Sequence, residues 1–208
     1  MQTIMTSPDF AKLNENAQLI VDTVGREAVD VYLFLSEEFA RGPVTHNFLF
    51  QFVYRSYYRL DSAGLTPGFK SAYFAWMENS RADPHVEIAA IVRDLHQIPN
   101  LKGQASLQFS FVTKLAHTIN PDYPIYDAEV AKCLGFRAPY NTKHFDARLQ
   151  EYLTFYESLR KFYEQVTIQR SLEQVVRLFE KTYLSAERAM PSVKVLDFIF
   201  WSAGKVGM

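Results

Sequence analysis

The sequence predicts an all-α fold of about nine or ten helices, and three observations lead to this prediction. Apolar residues recur with a period close to 3.6 along most of the 208-residue chain, as in helices with one buried face. Residues that cap or end helices stand at the borders of these segments. No segment alternates apolar and polar residues strictly, as a half-buried strand would. We expect one compact domain over residues 1–208, built as two closely packed lobes.

Three of the first four predicted helices have their starts marked by capping residues. Thr45 and Thr66 are placed to cap the second and the third, and Asp83 is placed to cap the fourth. Pro67 and Pro84 follow two of these residues, in the first helical position that proline favours. The four helices are expected over residues 27–39, 45–64, 66–80 and 83–98.

The C-terminal half predicts five more helices by the same signals. Asp127 is placed to cap a short helix, and Ser171 and Gln174 have the spacing of a capping box. Ser192 is placed to cap the last helix, which Gly204 is expected to end. The five helices are expected over residues 105–120, 128–136, 142–166, 171–190 and 191–205.

The composition is that of an ordinary globular protein. Hydrophobic residues make up 48% of the chain and charged residues 22%, which suits a large core and argues against disorder. The formal net charge is −1, so binding to nucleic acid would depend on a local basic patch.

The sequence also predicts a cytoplasmic location. Cys133 is the only cysteine, which excludes an intramolecular disulfide and suits a reducing compartment. The N-terminal residues lack the pattern of a secretory signal. No apolar stretch is long enough to span a bilayer, so no membrane partner is expected.

The usual catalytic and metal-binding motifs are missing. The chain has no Gly-rich phosphate loop, no G-x-S-x-G and no H-E-x-x-H. Its five histidines lie apart, without the paired spacing of metal ligands. We therefore predict neither a metal nor a cofactor.

One segment, "FVTKLAHTINPDYPIYDAEVAKCLGF" at residues 111–136, combines a helical lysine with an aspartate after a proline-bounded turn. On a helical wheel Lys114 flanks the apolar stripe, whereas His117 points away from it. Burial beside apolar surface favours the neutral, nucleophilic amine. The alternative is a lysine that extends to solvent.

Asp127 likewise has two interpretations. An aspartate in this position is a common helix cap. A carboxylate at a helix N-terminus can also face a developing positive charge, and one residue can do both.

This segment resembles the central part of the helix-hairpin-helix DNA glycosylases, and within them the lysine-bearing, 8-oxoguanine-type branch. The resemblance rests on "VTK" in a helix followed by "PIYDAEVA", and covers roughly residues 98–136. It implies that Lys114 is the catalytic lysine and Asp127 the catalytic aspartate. The chain diverges from the family in the hairpin, where Gly103 stands alone without a Gly-x-Gly turn.

The resemblance implies DNA as the partner, and basic residues near the segment are candidate contacts for it. Tyrosines alternate with arginines in "FVYRSYYRL", a mixture that can stack on and neutralise unstacked nucleotides, or else forms a core helix with an exposed basic edge. Lys102 stands before a predicted helix start. The candidate DNA-binding residues are Lys102, Arg137, Lys143, His144, Arg55 and Arg59. The candidate base-pocket residues are Tyr54, Tyr58, Trp76 and Phe109, for each of which core packing is the alternative.

The last predicted helix carries Lys194, Asp197 and Trp201 on one face, at spacings of three and four residues. We interpret the lysine and aspartate as a buried or half-buried pair with a structural role. A position at the border of the active site is the alternative.

Two functions are consistent with these features. The first is a DNA glycosylase, with lyase activity, that excises an oxidised purine or an unusual modified base of foreign DNA such as phage DNA. The second is a non-catalytic all-α module that binds nucleic acid or protein. No obligatory protein partner is evident.

Overall fold

A computed structural model describes residues 5–208 and confirms the all-α fold. Within these residues the chain forms eleven α-helices and one 3₁₀ turn, Leu60–Ser62, and no β-strand. The helices are α1 (Phe10–Glu15), α2 (Ala17–Val24), α3 (Arg26–Arg41), α4 (Phe48–Tyr57), α5 (Pro67–Asn79), α6 (Ile88–His96), α7 (Phe109–Ile119), α8 (Ala128–Cys133), α9 (Phe145–Gln169), α10 (Glu173–Tyr183) and α11 (Ser192–Lys205).

The first two helices were not predicted from the sequence. Asp9 caps α1 by accepting a hydrogen bond from the Lys12 backbone N–H at 3.0 Å. Helix α2 is only eight residues long but buries Ile20, Val21 and Val24. Short helices contain too few residues to show a clear periodic pattern, so the sequence did not predict α1 and α2.

The predicted caps of the first half are partly confirmed. Thr66 caps α5, where its hydroxyl accepts from the Phe69 N–H at 3.3 Å. The prediction for Thr45 is wrong, because Asn47 caps α4 instead. The prediction for Asp83 is also wrong, because its carboxylate accepts from the N–H two residues on, in a turn, and α6 begins only at residue 88.

Several boundaries of the second half also differ from the prediction, among them the end of α10, which lies at Tyr183 rather than at residue 190. Helix α10 begins at Glu173 after Leu172, without a side-chain cap, so the proposed capping box at Ser171 does not form. Ser192 is the first residue of α11 rather than its cap. Helix α7 begins at Phe109, four residues later than expected.

The chain divides into two compact units, the first formed by residues up to Val29 together with Pro124–Met208. Its centre is α11, which packs against α2, α8, α9 and α10. Ten of the fourteen residues of α11 are buried, among them the large side chains of Phe198, Ile199 and Phe200. Burying each side chain of this size contributes about 2 kcal/mol, so α11 contributes strongly to the core of this unit.

Gly204 lies inside α11 and does not end it. A Cβ at this position would lie 2.0 Å from the Glu129 carbonyl oxygen of α8, closer than any van der Waals contact. Lys132 of the same helix donates to the Gly204 carbonyl at 2.9 Å. The glycine is therefore required by the close approach of the two helices.

The second unit is continuous, from Asp30 to Tyr123. Helices α5, α6 and α7 pack against one another in it. Its core is rich in aromatic rings, with Phe50, Tyr54, Tyr73 and Phe74 almost fully buried. Tyr54 and Tyr73 join their hydroxyls at 2.9 Å, which satisfies two polar groups that burial would otherwise destabilise.

Candidate active site

Lys114 lies in the middle of α7, in the second unit, and its side chain is buried. The residue is only 9% exposed, so it does not extend to solvent. Its amine lies 3.1 Å from the hydroxyl of Ser110, one turn earlier on the same helix. Ser110 was not predicted as a site residue, although its i−4 spacing from a flanking lysine is a signal that the sequence carries.

Aromatic rings surround the Lys114 amine. The nitrogen lies 5.2 Å from the centre of the Phe111 ring and 5.6 Å from that of Tyr58. Ring faces attract a cation through their quadrupole, but they replace the water that an exposed ammonium would bind. The amine is thus held near apolar surface, as its flanking position in the sequence predicts.

His117 is buried rather than pointing away from the core, which corrects the helical-wheel prediction. Its Nδ1 donates to the Tyr123 carbonyl at 2.7 Å, since a carbonyl oxygen only accepts. In this tautomer Nε2 accepts from the Tyr32 hydroxyl at 3.0 Å. The ring thereby fixes the backbone that follows α7, at the end of the second unit.

Asp127 belongs to the first unit and caps α8, as predicted. It has extended backbone angles, and its carboxylate accepts from the Glu129 N–H at 3.0 Å. The residue is half-buried. A carboxylate in this position is favoured by the positive end of the helix dipole.

The residues that precede Asp127 are anchored one by one within the first unit. The Tyr156 hydroxyl donates to the Pro124 carbonyl at 2.7 Å. The Ile125 N–H donates to Asp197. Tyr126 is buried and packs its ring edge-on against Tyr152, Phe155 and Phe136, with centres 5.2 to 6.0 Å apart. This segment without helical hydrogen bonds is therefore rigidly attached to its unit.

Asp197 and Lys194 are both buried in α11, as predicted for a structural pair. Their exposures are 3% and 5%. Burial raises the pKa of Asp197 from 3.8 to about 7, while the attraction of Lys194 and the hydrogen bonds to the carboxylate oppose this rise. One of these bonds comes from the Tyr163 hydroxyl at 3.0 Å. Trp201 is half-buried, and the Lys205 amine lies 4.7 Å from the centre of its indole ring.

The three predicted DNA contacts of the second unit differ in their exposure and in their partners. Arg55 is half-buried and pairs with Asp61, the distance between Nε and Oδ2 being 3.2 Å. Arg59 is exposed and has left-handed backbone angles, with φ of 60°. Lys102 is exposed in a turn, where its N–H donates to Asn100. It does not adjoin a helix start, because α7 begins seven residues later.

The predicted contacts of the first unit lie in and beside the loop between α8 and α9. Arg137, Lys143 and His144 are all exposed. The Lys143 amine pairs with Glu151 at 2.5 Å. His144 precedes α9 without capping it through its side chain.

Three of the four predicted base-pocket rings are buried. Tyr54 and Phe109 are at most 2% exposed, and Tyr58 is 8% exposed. Trp76 is half-buried and donates its indole N–H to Asp94. Packing thus already gives Tyr54 and Phe109 a structural role, and their part in a base pocket stays a prediction.

Three other features concern the residues that the structure describes: a cavity, the absence of a metal-binding cluster and the absence of a membrane-spanning helix. A cavity of about 350 Å³ lies between α9, α10 and α11, but none of the predicted site residues line it. Between residues 5 and 208, no group of three or more His, Cys, Asp or Glu side chains could hold a metal ion. Over the same residues, no helix has the length and hydropathy to cross a membrane.

Comparisons of this chain with protein-family models, with curated proteins and with solved structures gave no match. The relationship to the helix-hairpin-helix glycosylases therefore stays a prediction from the residues of the Lys114–Asp127 segment.

Proposed function

We propose that this protein is a DNA glycosylase with lyase activity, in which Lys114 is the nucleophile and Asp127 its acidic partner. The observation that carries the proposal is the buried amine of Lys114, held beside a hydroxyl and two aromatic rings. Burying an amine is unfavourable, and a buried amine is therefore a candidate for chemistry. Asp127 supports the proposal as a half-buried carboxylate on an anchored segment.

The reaction would begin on a nucleotide that has left the base stack, which costs a few kcal/mol. The neutral amine forms a bond to the sugar C1′ while the bond from C1′ to the base nitrogen breaks. The base leaves with the electron pair and takes up the proton that the amine loses. Asp127 stabilises the positive charge on the sugar and assists the transfer of that proton.

The second stage would open the sugar ring. The ring oxygen takes a proton from water as the nitrogen lone pair forms a C=N bond to C1′, and this gives a protonated Schiff base. A base takes a proton from C2′, the electrons of that C–H bond form a double bond between C2′ and C3′, and the 3′ phosphate leaves with the electrons of its C–O bond, which cleaves the strand by β-elimination. The candidates for contacts with the phosphates are the exposed residues Arg59, Lys102, Arg137, Lys143 and His144.

Borohydride trapping tests this proposal, because borohydride reduces the C=N bond and leaves the protein covalently attached to DNA. We would incubate the protein with duplexes that carry oxidised, alkylated, deaminated or hypermodified bases, or an abasic site. We expect an adduct on at least one duplex with wild type and none with Lys114→Gln. An adduct that persists in the variant, or its absence on every duplex, would contradict the proposal.

The alternative is a non-catalytic binding module, and one surface feature favours it. Phe48, Leu49 and Phe52 lie together at the start of α4 and are 73%, 64% and 61% exposed. Large apolar side chains in such a group are typical of a surface that binds another molecule. DNA binding without base release or adduct formation would support this alternative.

A further inference from the structure

Asp197 is a buried carboxylate that the proposed reaction does not use. Its two oxygens accept from the Ile125 N–H at 3.1 and 3.2 Å. Ile125 lies two residues before Asp127, although it is 72 residues from Asp197 along the chain. Burying a carboxylate is costly, and here it supplies a partner to a backbone N–H just before the predicted catalytic aspartate.

The orientation of Asp197 is itself fixed. The Tyr163 hydroxyl of α9 donates to the same carboxylate at 3.0 Å. Burial, and secondarily the nearby carboxylate, raises the pKa of Tyr163 well above its usual value, so the hydroxyl keeps its proton and donates. Lys194 adds an electrostatic attraction from the same helix as Asp197. The carboxylate therefore has a defined position from which to hold Ile125.

Asp197 shares the hold on this segment with two other anchors. Tyr156 holds the carbonyl of Pro124, and the packing of the Tyr126 ring holds a side chain. The Ile125 N–H is the backbone donor nearest to Asp127 among these contacts. The Pro124 carbonyl and the Ile125 N–H belong to one peptide plane, so Tyr156 and Asp197 hold the same plane from its two edges. If Asp197 is lost, only the Tyr156 bond holds this plane, and the backbone that carries Asp127 can shift.

We propose that Asp197 is a positioning residue that fixes the backbone of residues 124–127 and thereby the Asp127 carboxylate. This inference rests on the glycosylase activity proposed above. Asp197 does not touch the reacting atoms; it acts through the segment that it holds. Misplacing a catalytic group by about 1 Å can slow a reaction about 100-fold, so such a residue has a measurable effect on rate.

The experiment compares Asp197→Ala with Asp197→Asn on the DNA that gives an adduct with wild type. Alanine removes the acceptor, whereas the asparagine oxygen can still accept from Ile125. We expect alanine to lower the single-turnover rate of adduct formation roughly 10- to 100-fold at unchanged DNA affinity. Asparagine should restore most of the rate. Equal losses in both variants, or no loss in alanine, would overturn the inference.

A second variant covers the case in which Asp197→Ala does not fold. Tyr163→Phe keeps the carboxylate but removes the hydroxyl that orients it. We expect a rate roughly 3- to 10-fold below wild type at unchanged DNA affinity, because only part of the constraint is lost. A wild-type rate in this variant would overturn the inference.

Amide hydrogen exchange of Ile125 separates the failure of this inference from the failure of the glycosylase proposal. The exchange reports the hold on the segment without any substrate. We expect at least about 10-fold faster exchange in Asp197→Ala than in Asp197→Asn. If wild type forms no adduct but exchange follows this order, the glycosylase proposal fails while Asp197 still holds the segment. If exchange is equal in the two variants, the positioning role fails by itself.

Discussion

Two buried lysines, Lys114 of α7 and Lys194 of α11, have similar exposure but different surroundings. Lys114 has a serine hydroxyl one turn before it, 3.1 Å from its amine. Lys194 has the carboxylate of Asp197 three residues after it, and its amine lies 4.3 Å from the Phe198 ring centre. A neighbouring carboxylate stabilises the charged ammonium, whereas a hydroxyl can bind either form of the amine. Burial alone therefore does not identify a nucleophile.

The largest expected effect separates the two lysines by their chemistry. Lys114→Gln should lower the yield of the borohydride-trapped adduct by about 10³-fold or more, as removal of a nucleophile does. Lys194→Gln should still form the adduct. Mass spectrometry of the digested adduct should find the reduced sugar on the peptide that contains Lys114. A reduced sugar on the peptide that contains Lys194 would contradict Lys114 as the nucleophile.

The second effect is on stability and concerns Lys194. Lys194→Met should lower the free energy of unfolding by about 3 kcal/mol, because it leaves a buried carboxylate without its cation. Urea titration followed by circular dichroism measures the change. Lys161→Met is the matched control, since this lysine is exposed and pairs with Glu157 only at 3.7 Å. We expect the control to change stability by less than about 0.5 kcal/mol, and an equal loss would contradict the assignment.

The third effect is a dependence of stability on pH. The pKa of Asp197 is raised from 3.8 to about 7. At a pH between these two values, the folded state keeps a proton on Asp197 that the unfolded state has lost. The contribution is fully present below about pH 4, and it is lost as the pH rises through about 7. As the pH rises through this range, the unfolding free energy of wild type should therefore fall relative to that of Asp197→Asn. A difference that is flat with pH would contradict the raised pKa of Asp197.

The smallest effect concerns the hydroxyl beside Lys114. Ser110→Ala removes one hydrogen bond, worth about 1 kcal/mol, and should slow adduct formation about fivefold. Single-turnover measurements on the trapped substrate detect such a change. Ser158→Ala is a control, because this serine also bonds one turn back along its helix, to the Thr154 carbonyl. If both variants react at the wild-type rate, Ser110 has no part in orienting the amine.

The sequence predicts the parts of this molecule that depend on local signals. The cap by Thr66 and the cap by Asp127 are decided within three residues, and the structure confirms both. The flanking position of Lys114 follows from helical periodicity alone. Asp83 shows the limit of such signals, because an aspartate favours a turn as readily as a helix cap, and only the packing of the chain selects one.

Features that depend on distant residues were not predictable. Gly204 has the sequence signature of a helix end, but its real constraint is the backbone of Glu129 in another helix. The bond from Ile125 to Asp197 joins positions 72 residues apart, and no local pattern marks it. The prediction that His117 points away from the core is wrong for the same reason, since its partner Tyr32 lies 85 residues earlier.

The division of the first unit into two chain segments has a consequence for its synthesis on the ribosome. Helix α2 is made well before its partners α10 and α11, and the Ser202 hydroxyl that donates to the Ile20 carbonyl at 2.7 Å follows it by 182 residues. The continuous segment from Asp30 to Tyr123 is translated in between. The apolar face of α2 therefore stays uncovered by these helices until they emerge from the ribosome, and a nascent chain that stalls before α11 would expose it to chaperones and proteases.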